Sequence, residues 1–244
     1  MKHPSVRFSR SYRKDIVAVS GFLCDARFDG GSALEEAVFS VMPQLRTTLS
    51  DWKVGQSIPL IVQQQIRHLY KENSQSIEYD MRIAKYVWQK LASTFFQLTD
   101  EIFETFLWPK GKYIAYPTVW GMFPRYLDDK TFQIPVRFRR KKLIPVVIAH
   151  EMLHFICYHH LFRTRPELKK QSNQFLCWHV TELFNSVVQT TPCWRRIFGA
   201  VPMDYPIHEK SLRKLRSKYQ LVNATNREVF IDDLVRTAES LVKK

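Results

Sequence analysis

The segment 145–158 is apolar at almost every position, and its exceptions are His150, Glu151 and His154. An apolar run of this length, opened by a proline, predicts a buried helix. Side chains four positions apart lie on the same face of a helix, so His150 and His154 can bind one metal ion together. Burying polar groups without a partner costs free energy, and a metal ion would be a partner for these side chains.

The order His-Glu-x-x-His favours a catalytic metal site over a structural one. Glu151 follows His150 directly and leans toward the same ion, where it can take a proton from a bound water. Structural zinc sites favour cysteine ligands, whereas catalytic sites use three protein ligands and leave one position open for water. The motif is typical of zinc-dependent peptidases, so we expect Zn²⁺ as the cofactor and Glu151 as the general base.

A third ligand is required, and the first candidate is Glu182. It lies on a second apolar helix, predicted over about 167–189, where a buried carboxylate needs a cation. With His150, Glu151, His154 and Glu182 the chain resembles the gluzincin group, the thermolysin-like zinc peptidases. The resemblance covers only the stretch between these residues. It implies a zincin-like fold, peptide hydrolysis and Glu182 as the third ligand.

The surroundings of the third ligand depart from the gluzincin pattern. Many gluzincins have, four residues after this ligand, an aspartate that orients a ligand histidine. Here that position is Ser186, and its neighbour is Asn185. Asn185 can take over the role by accepting a hydrogen bond from an imidazole N–H.

His160 is a second candidate for the third ligand. The spacing from His150 to His160 resembles the metzincin motif HExxHxxGxxH, except that Cys157 replaces the glycine. That glycine allows a sharp turn, whereas a cysteine favours a continuing helix that points His160 away. The segment 203–205, Met-Asp-Tyr, resembles the Met-turn of metzincins.

His179 is the third candidate, because it precedes Glu182 by three residues and shares nearly the same helix face. A late third histidine resembles the SprT-like proteases, which act on DNA-bound proteins. If Glu182 is the ligand instead, His179 is a candidate for the group that steadies the substrate oxyanion. Tyr205 and His208 are the other candidates, and the sequence does not rank the three.

The rest of the chain predicts an α+β fold that is mainly helical, with a small sheet of edge strands beside the motif helix. Before the motif we expect helices over about 33–49, 59–70 and 77–98, strands over 112–119 and 131–138, and an extended segment over 121–127. Pro117, Pro124 and Pro135 remove hydrogen-bond donors, which predicts sheet edges. A substrate peptide could pair with such an edge.

No linker interrupts the chain, so we expect one domain over 1–244. It would comprise an N-terminal helical part (1–107), a catalytic core with the strands and both ligand helices (108–199) and C-terminal helices (200–244).

The formal net charge of +14 is compatible with nucleic acid, acidic substrates or anionic lipid as partners. The densest basic runs are 137–142 and 210–218, and the first of them adjoins the motif helix. No nucleic-acid-binding motif accompanies the charge. Because of the charge, the alternative to a peptidase is nevertheless a basic nucleic-acid-binding protein with a degenerate or structural metal site.

The cysteines indicate a reducing compartment. Cys24, Cys157, Cys177 and Cys193 are scattered and form no CxxC pair, which favours free thiols over a disulfide framework. The N-terminal region has no pattern typical of a secretion signal, and no apolar run is long enough to span a bilayer. We therefore predict a soluble, cytoplasmic protein.

Overall fold

The computed structural model describes residues 3–23, 32–49, 52, 56–104, 108–136, 143–199 and 204–243. The chain is mainly helical and contains a four-stranded sheet, which confirms the α+β class. It forms two compact units. The sheet unit comprises Ser5–Val87 and Lys112–Ile144, and the motif unit comprises Met1–Pro4, Trp88–Gly111 and Pro145–Lys244. These boundaries differ from the three predicted parts, and the single domain stays a prediction.

The sheet unit contains four strands and most of the first five helices. The strands are β1 (Val6–Phe8), β2 (Tyr113–Thr118), β3 (Arg125–Tyr126) and β4 (Thr131–Pro135). The helices are α1 (Tyr12–Phe22), α2 (Ser32–Phe39), α3 (Leu45–Thr48), α4 (Leu60–Glu72) and α5 (Ser74–Phe103), the last of which has residues in both units. The predicted helix over 33–49 is divided into α2 and α3, because Pro43 cannot continue a helix.

The strand order is β1-β2-β4-β3, so the prediction that the proline-containing strands are edges is wrong for β2 and β4. β1, β2 and β4 run parallel, and β3 is antiparallel to β4. Pro117 lies beyond Ala115, the last residue of β2 that pairs with β1. Pro135 lies beyond Phe132, where the pairing with β3 ends.

Both prolines also stand in the register between β2 and β4. The Ile114 amide donates toward β4 and the Gln133 amide toward β3, so by alternation the nitrogen of Pro117 faces β1 and that of Pro135 faces β3. Neither missing donor therefore interrupts a described ladder.

Two details of the sheet follow from its short outer strands. β1 has only three residues, too few for an alternating pattern, and the sequence did not predict it. Pro124 precedes the edge strand β3, and its carbonyl accepts a hydrogen bond from the Gln133 amide at 3.0 Å. The predicted packing of the sheet beside the motif helix stays a prediction.

The motif unit is built from five further helices and the second part of α5. They are α6 (Leu143–Thr164), α7 (Gln174–Val188), α8 (Pro192–Phe198), α9 (Glu209–Lys218) and α10 (Arg227–Val242). Helix α7 packs against α9 and α10, and every residue from Cys177 to Val188 is buried. A helix that is buried on all sides belongs to the core, so the polar side chains of α7 are buried with it.

Helix α6 carries the motif and begins with Pro145 in its first turn, where a missing N–H breaks no helical bond. It continues through Cys157 to Thr164, as expected for a sequence without glycine at that position. Pro166 follows the end of the helix and opens a short 3-10 turn. Of the described helices, none combines the length and the hydropathy needed to cross a membrane.

Candidate metal site

His150, His154 and Glu182 converge on one point between α6 and α7. The Nε2 atom of His150 lies 3.2 Å from Glu182 Oε2, and the Nε2 atom of His154 lies 3.4 Å from Glu182 Oε1. The two Nε2 atoms are 3.0 Å apart. All three ligand atoms lie within 4.8 Å of one another, and among the described residues this is the one such group of histidine, cysteine or acidic side chains.

The cluster is buried except at one side. Glu182 is 3% exposed and His154 is not exposed at all, whereas the side chain of His150 is 17% exposed. Two imidazole nitrogens and one carboxylate oxygen form a donor set that suits zinc, which in catalytic sites takes one further ligand, a water. Neutral imidazoles do not balance the negative charge of the buried carboxylate. A divalent cation bound between the three side chains would balance it.

The pKa of His150 reflects this anionic environment. Burial alone lowers it, but the hydrogen bond to Glu182 and the charges of Glu182 and Glu151 outweigh burial and raise the pKa above its ordinary value. Glu151 is itself 4% exposed. The surroundings thus favour positive charge at the position where the motif predicts a metal ion.

Gln189 contacts the His150 ring, a role that the sequence did not predict. His150 Nδ1 lies 2.8 Å from Gln189 Oε1. The expectation that Asn185 accepts a hydrogen bond from an imidazole N–H is wrong, because its Oδ1 has no hydrogen-bond partner among the described residues. Its side-chain amide instead donates to the His150 carbonyl oxygen at 2.8 Å. Gln189 follows Glu182 by seven residues, two helical turns, so the helix period could have identified it.

His179 and His208 form a buried pair instead of joining the cluster. His179 Nδ1 lies 2.7 Å from His208 Nε2, and both residues are 0% exposed. Burial, and then the neighbouring His208, lower the pKa of His179 to about 4, and burial also lowers the pKa of His208. Both rings are therefore neutral at pH 7. Their outer nitrogens, His179 Nε2 and His208 Nδ1, have no hydrogen-bond partner among the described residues.

The remaining candidates lie outside the cluster. His160 Nε2 lies 3.1 Å from Glu228 Oε1 of α10, so the candidate third ligand of the metzincin alternative is engaged elsewhere. The Tyr205 ring packs edge-on against Trp178 at 4.9 Å between centroids. Met203, from the proposed Met-turn, and the basic run 137–142 lie outside the described residues, as does Cys24. The three described cysteines form no disulfide bond with one another.

Arg216 of α9 joins two parts of this region. Its guanidinium forms a bidentate ion pair with Asp204, with both N–O distances 2.7 Å. It also donates to the Ser186 carbonyl oxygen at 3.1 Å and to Thr190 Oγ1 at 3.1 Å. Arg216 therefore fixes the end of α7 to the segment that leads into His208.

No protein-family model, no curated protein and no solved structure matches this chain. The gluzincin resemblance therefore stays a prediction that depends on four residues. The function has to be argued from the positions of those residues and of their neighbours.

Proposed function

We propose that the protein is a zinc-dependent metallopeptidase in which His150, His154 and Glu182 hold the ion. One observation carries the proposal: the buried Glu182 carboxylate faces both imidazoles of the motif, at 3.2 and 3.4 Å. A surface glutamate would make no such contact. Glu182 lies 28 positions after His154 in the chain, so their meeting is a property of the fold and not of the motif.

A zinc ion bound by these residues would lower the pKa of a coordinated water and polarise the substrate carbonyl. The protein's own contribution begins with Glu151, which follows His150 on α6 and whose charge acts on that ring. In the proposed reaction Glu151 accepts a proton from the attacking water and then donates it to the departing amine. The exposed side of His150 gives the substrate access.

His179 is the candidate for the oxyanion donor, with His208 as the residue that sets its tautomer. If His208 donates from Nε2 to His179 Nδ1, the neutral His179 ring carries its proton on Nε2, which has no other partner among the described residues. The charge of Glu182 acts on both rings, which indicates that they lie near the ligand cluster. Tyr205 stays a candidate with less support.

The decisive test of the proposal is Glu151→Gln. We expect the variant to retain zinc and to hydrolyse an unfolded protein such as casein about 10²–10⁴ times more slowly than the wild type, because the base is lost. Glu167→Gln is the matched control, since Glu167 is exposed on the 3-10 turn after α6. Equal rates for wild type and Glu151→Gln would refute the proposed base.

Nucleic-acid binding is a second candidate function, favoured by α9. This helix buries Leu212 and Leu215 and exposes Lys210, Arg213 and Lys214 on its outer side. Such a face, together with the net charge of +14, suits a phosphate backbone. DNA binding that weakens with salt and is unchanged in Glu151→Gln would support this function, and its absence at low salt would exclude it.

A further inference from the structure

Gln189 lies at the end of α7 and contacts α6 with both ends of its amide. It is 3% exposed. Its Nε2 donates to the Val146 carbonyl oxygen at 3.1 Å, and its Oε1 lies 2.8 Å from His150 Nδ1. The side chain therefore connects the helix that carries Glu182 to a ligand histidine of the other helix.

These two contacts fix the protonation of the His150 ring. A carbonyl oxygen only accepts hydrogen bonds, so the NH₂ end of the Gln189 amide must face Val146. The Oε1 atom is left for His150, and because Oε1 also only accepts, His150 Nδ1 must carry a proton. In the neutral ring the lone pair is then on Nε2, the atom that faces Glu182 and His154.

We infer that Gln189 is the positioning residue of the metal site, selecting the tautomer of His150 that can bind the ion. The inference rests on the proposed function. It also assigns a charge to the site, because an amide orients the ring without adding a negative charge. Two neutral imidazoles and one carboxylate leave a divalent ion with a net charge of +1, so the site keeps more Lewis acidity than one with a second carboxylate behind the histidine.

Asn185 is a natural control for this role. It lies one turn before Gln189 on α7, and its amide donates to the carbonyl oxygen of His150, one turn after Val146 on α6. The two amides thus tie the same pair of helices in the same way, but only Gln189 also contacts an imidazole. Replacing Asn185 removes one hydrogen bond between the two helices. Replacing Gln189 removes such a hydrogen bond and the contact with the His150 ring together.

The experiment measures Zn²⁺ affinity by competition with a chelator in the full-length protein, with thermal unfolding of each metal-free variant alongside. Gln189→Leu should weaken Zn²⁺ binding by about 10–100-fold, the range for loss of such a partner. Asn185→Leu should weaken it much less, although both should lower the melting temperature. Gln189→Glu keeps an acceptor for His150 but loses the donor to Val146, so it should bind Zn²⁺ at least as tightly as the wild type while unfolding at a lower temperature.

Binding of Co²⁺ gives a second readout, because its visible absorption reports the ligand geometry. The wild type, Asn185→Leu and Gln189→Glu should give one spectrum, and Gln189→Leu a different one. Equal losses of Zn²⁺ affinity in Gln189→Leu and Asn185→Leu would overturn the inference and leave the proposed function standing. So would weak binding by Gln189→Glu. A wild type that binds no Zn²⁺ would overturn both.

Discussion

Both units of the molecule contain buried carboxylates, and the partners of Asp15 in the sheet unit differ from those of Glu182 in the motif unit. Asp15 of the sheet unit is 0% exposed and accepts hydrogen bonds from the Val119 amide at 3.0 Å, the Tyr70 hydroxyl at 2.8 Å and the Gln133 side-chain amide. Glu182 of the motif unit instead faces two imidazoles. The partners of Asp15 are N–H and O–H groups that always carry a proton, so its carboxylate serves the structure. The partners of Glu182 are imidazoles whose nitrogens can have a lone pair, so the three side chains together can act as metal ligands. The partners of a buried acid therefore indicate its role better than burial does.

The largest expected effect is the loss of zinc from Glu182→Gln, with Asp15→Asn as its comparison. Glu182→Gln removes the anionic ligand, so the variant should lose its zinc during gel filtration and its hydrolysis should fall to background. Asp15→Asn should keep stoichiometric zinc, as metal analysis would show. Loss of zinc from Asp15→Asn, or its retention by Glu182→Gln, would break the distinction between the two acids.

Asp15→Ala should have the largest effect on stability. It leaves the amide of Val119 and the side-chain amide of Gln133 buried without their acceptor, whereas the hydroxyl of Tyr70 keeps the Pro117 carbonyl oxygen at 2.8 Å. Each of the two lost partners costs about 1–3 kcal/mol, so we expect the free energy of unfolding to fall by about 2 kcal/mol or more. Urea denaturation of the metal-free protein measures this. A loss below about 1 kcal/mol would mean that the buried donors find other partners.

The pH dependence of stability should also separate the two acids. Burial raises the pKa of Asp15 from 3.8 to about 6, against the lowering effect of its hydrogen bonds. The folded state therefore binds this proton more tightly than the unfolded state. That contribution is complete below about pH 4 and is lost as the pH rises through about 6. Relative to Asp15→Asn, the wild type should lose about 2 kcal/mol between pH 4.5 and pH 7. Denaturation curves that show a constant difference would contradict the shift.

The smallest effect is expected at His160, a buried histidine outside the metal site. Its partner is Glu228 at 3.1 Å, so His160→Asn should reduce the free energy of unfolding by about 1 kcal/mol. Zinc affinity should stay within about twofold of the wild type, since distant sites act independently. A larger loss of affinity, measured with the same chelator, would bring the metzincin-like ligand set back into consideration.

The sequence predicted both helices that carry the proposed ligands, because their information is local. The one with Glu182 begins at Gln174 and not at about 167, since two short 3-10 segments precede it. The four-residue spacing of His150 and His154 and the apolar neighbours of Glu182 identify faces of helices without any knowledge of the fold. Gln189 was within reach of the same reasoning. The role proposed for Asn185 was wrong because spacing gives the face of a side chain but not the atom that it contacts.

The sheet unit was harder to predict, because its contacts join distant parts of the chain. The partners of Asp15 are Tyr70, Val119 and Gln133, and no local pattern relates these positions. The prolines of the strand segments correctly indicated positions without a backbone hydrogen-bond donor. However, whether such a donor faces a neighbouring strand depends on where that strand ends, as it does at Pro117.

The contacts of Arg216 determine how short a working version of this protein can be. A chain that stopped after α8 would still contain every proposed ligand, the general base and Gln189. It would lack Arg216, whose guanidinium holds Thr190, the residue next to Gln189. It would also lack Asp204, which pairs with Arg216, and His208. The shortest fragment expected to keep the proposed site in place therefore extends through α9, well past the last residue that would touch the metal.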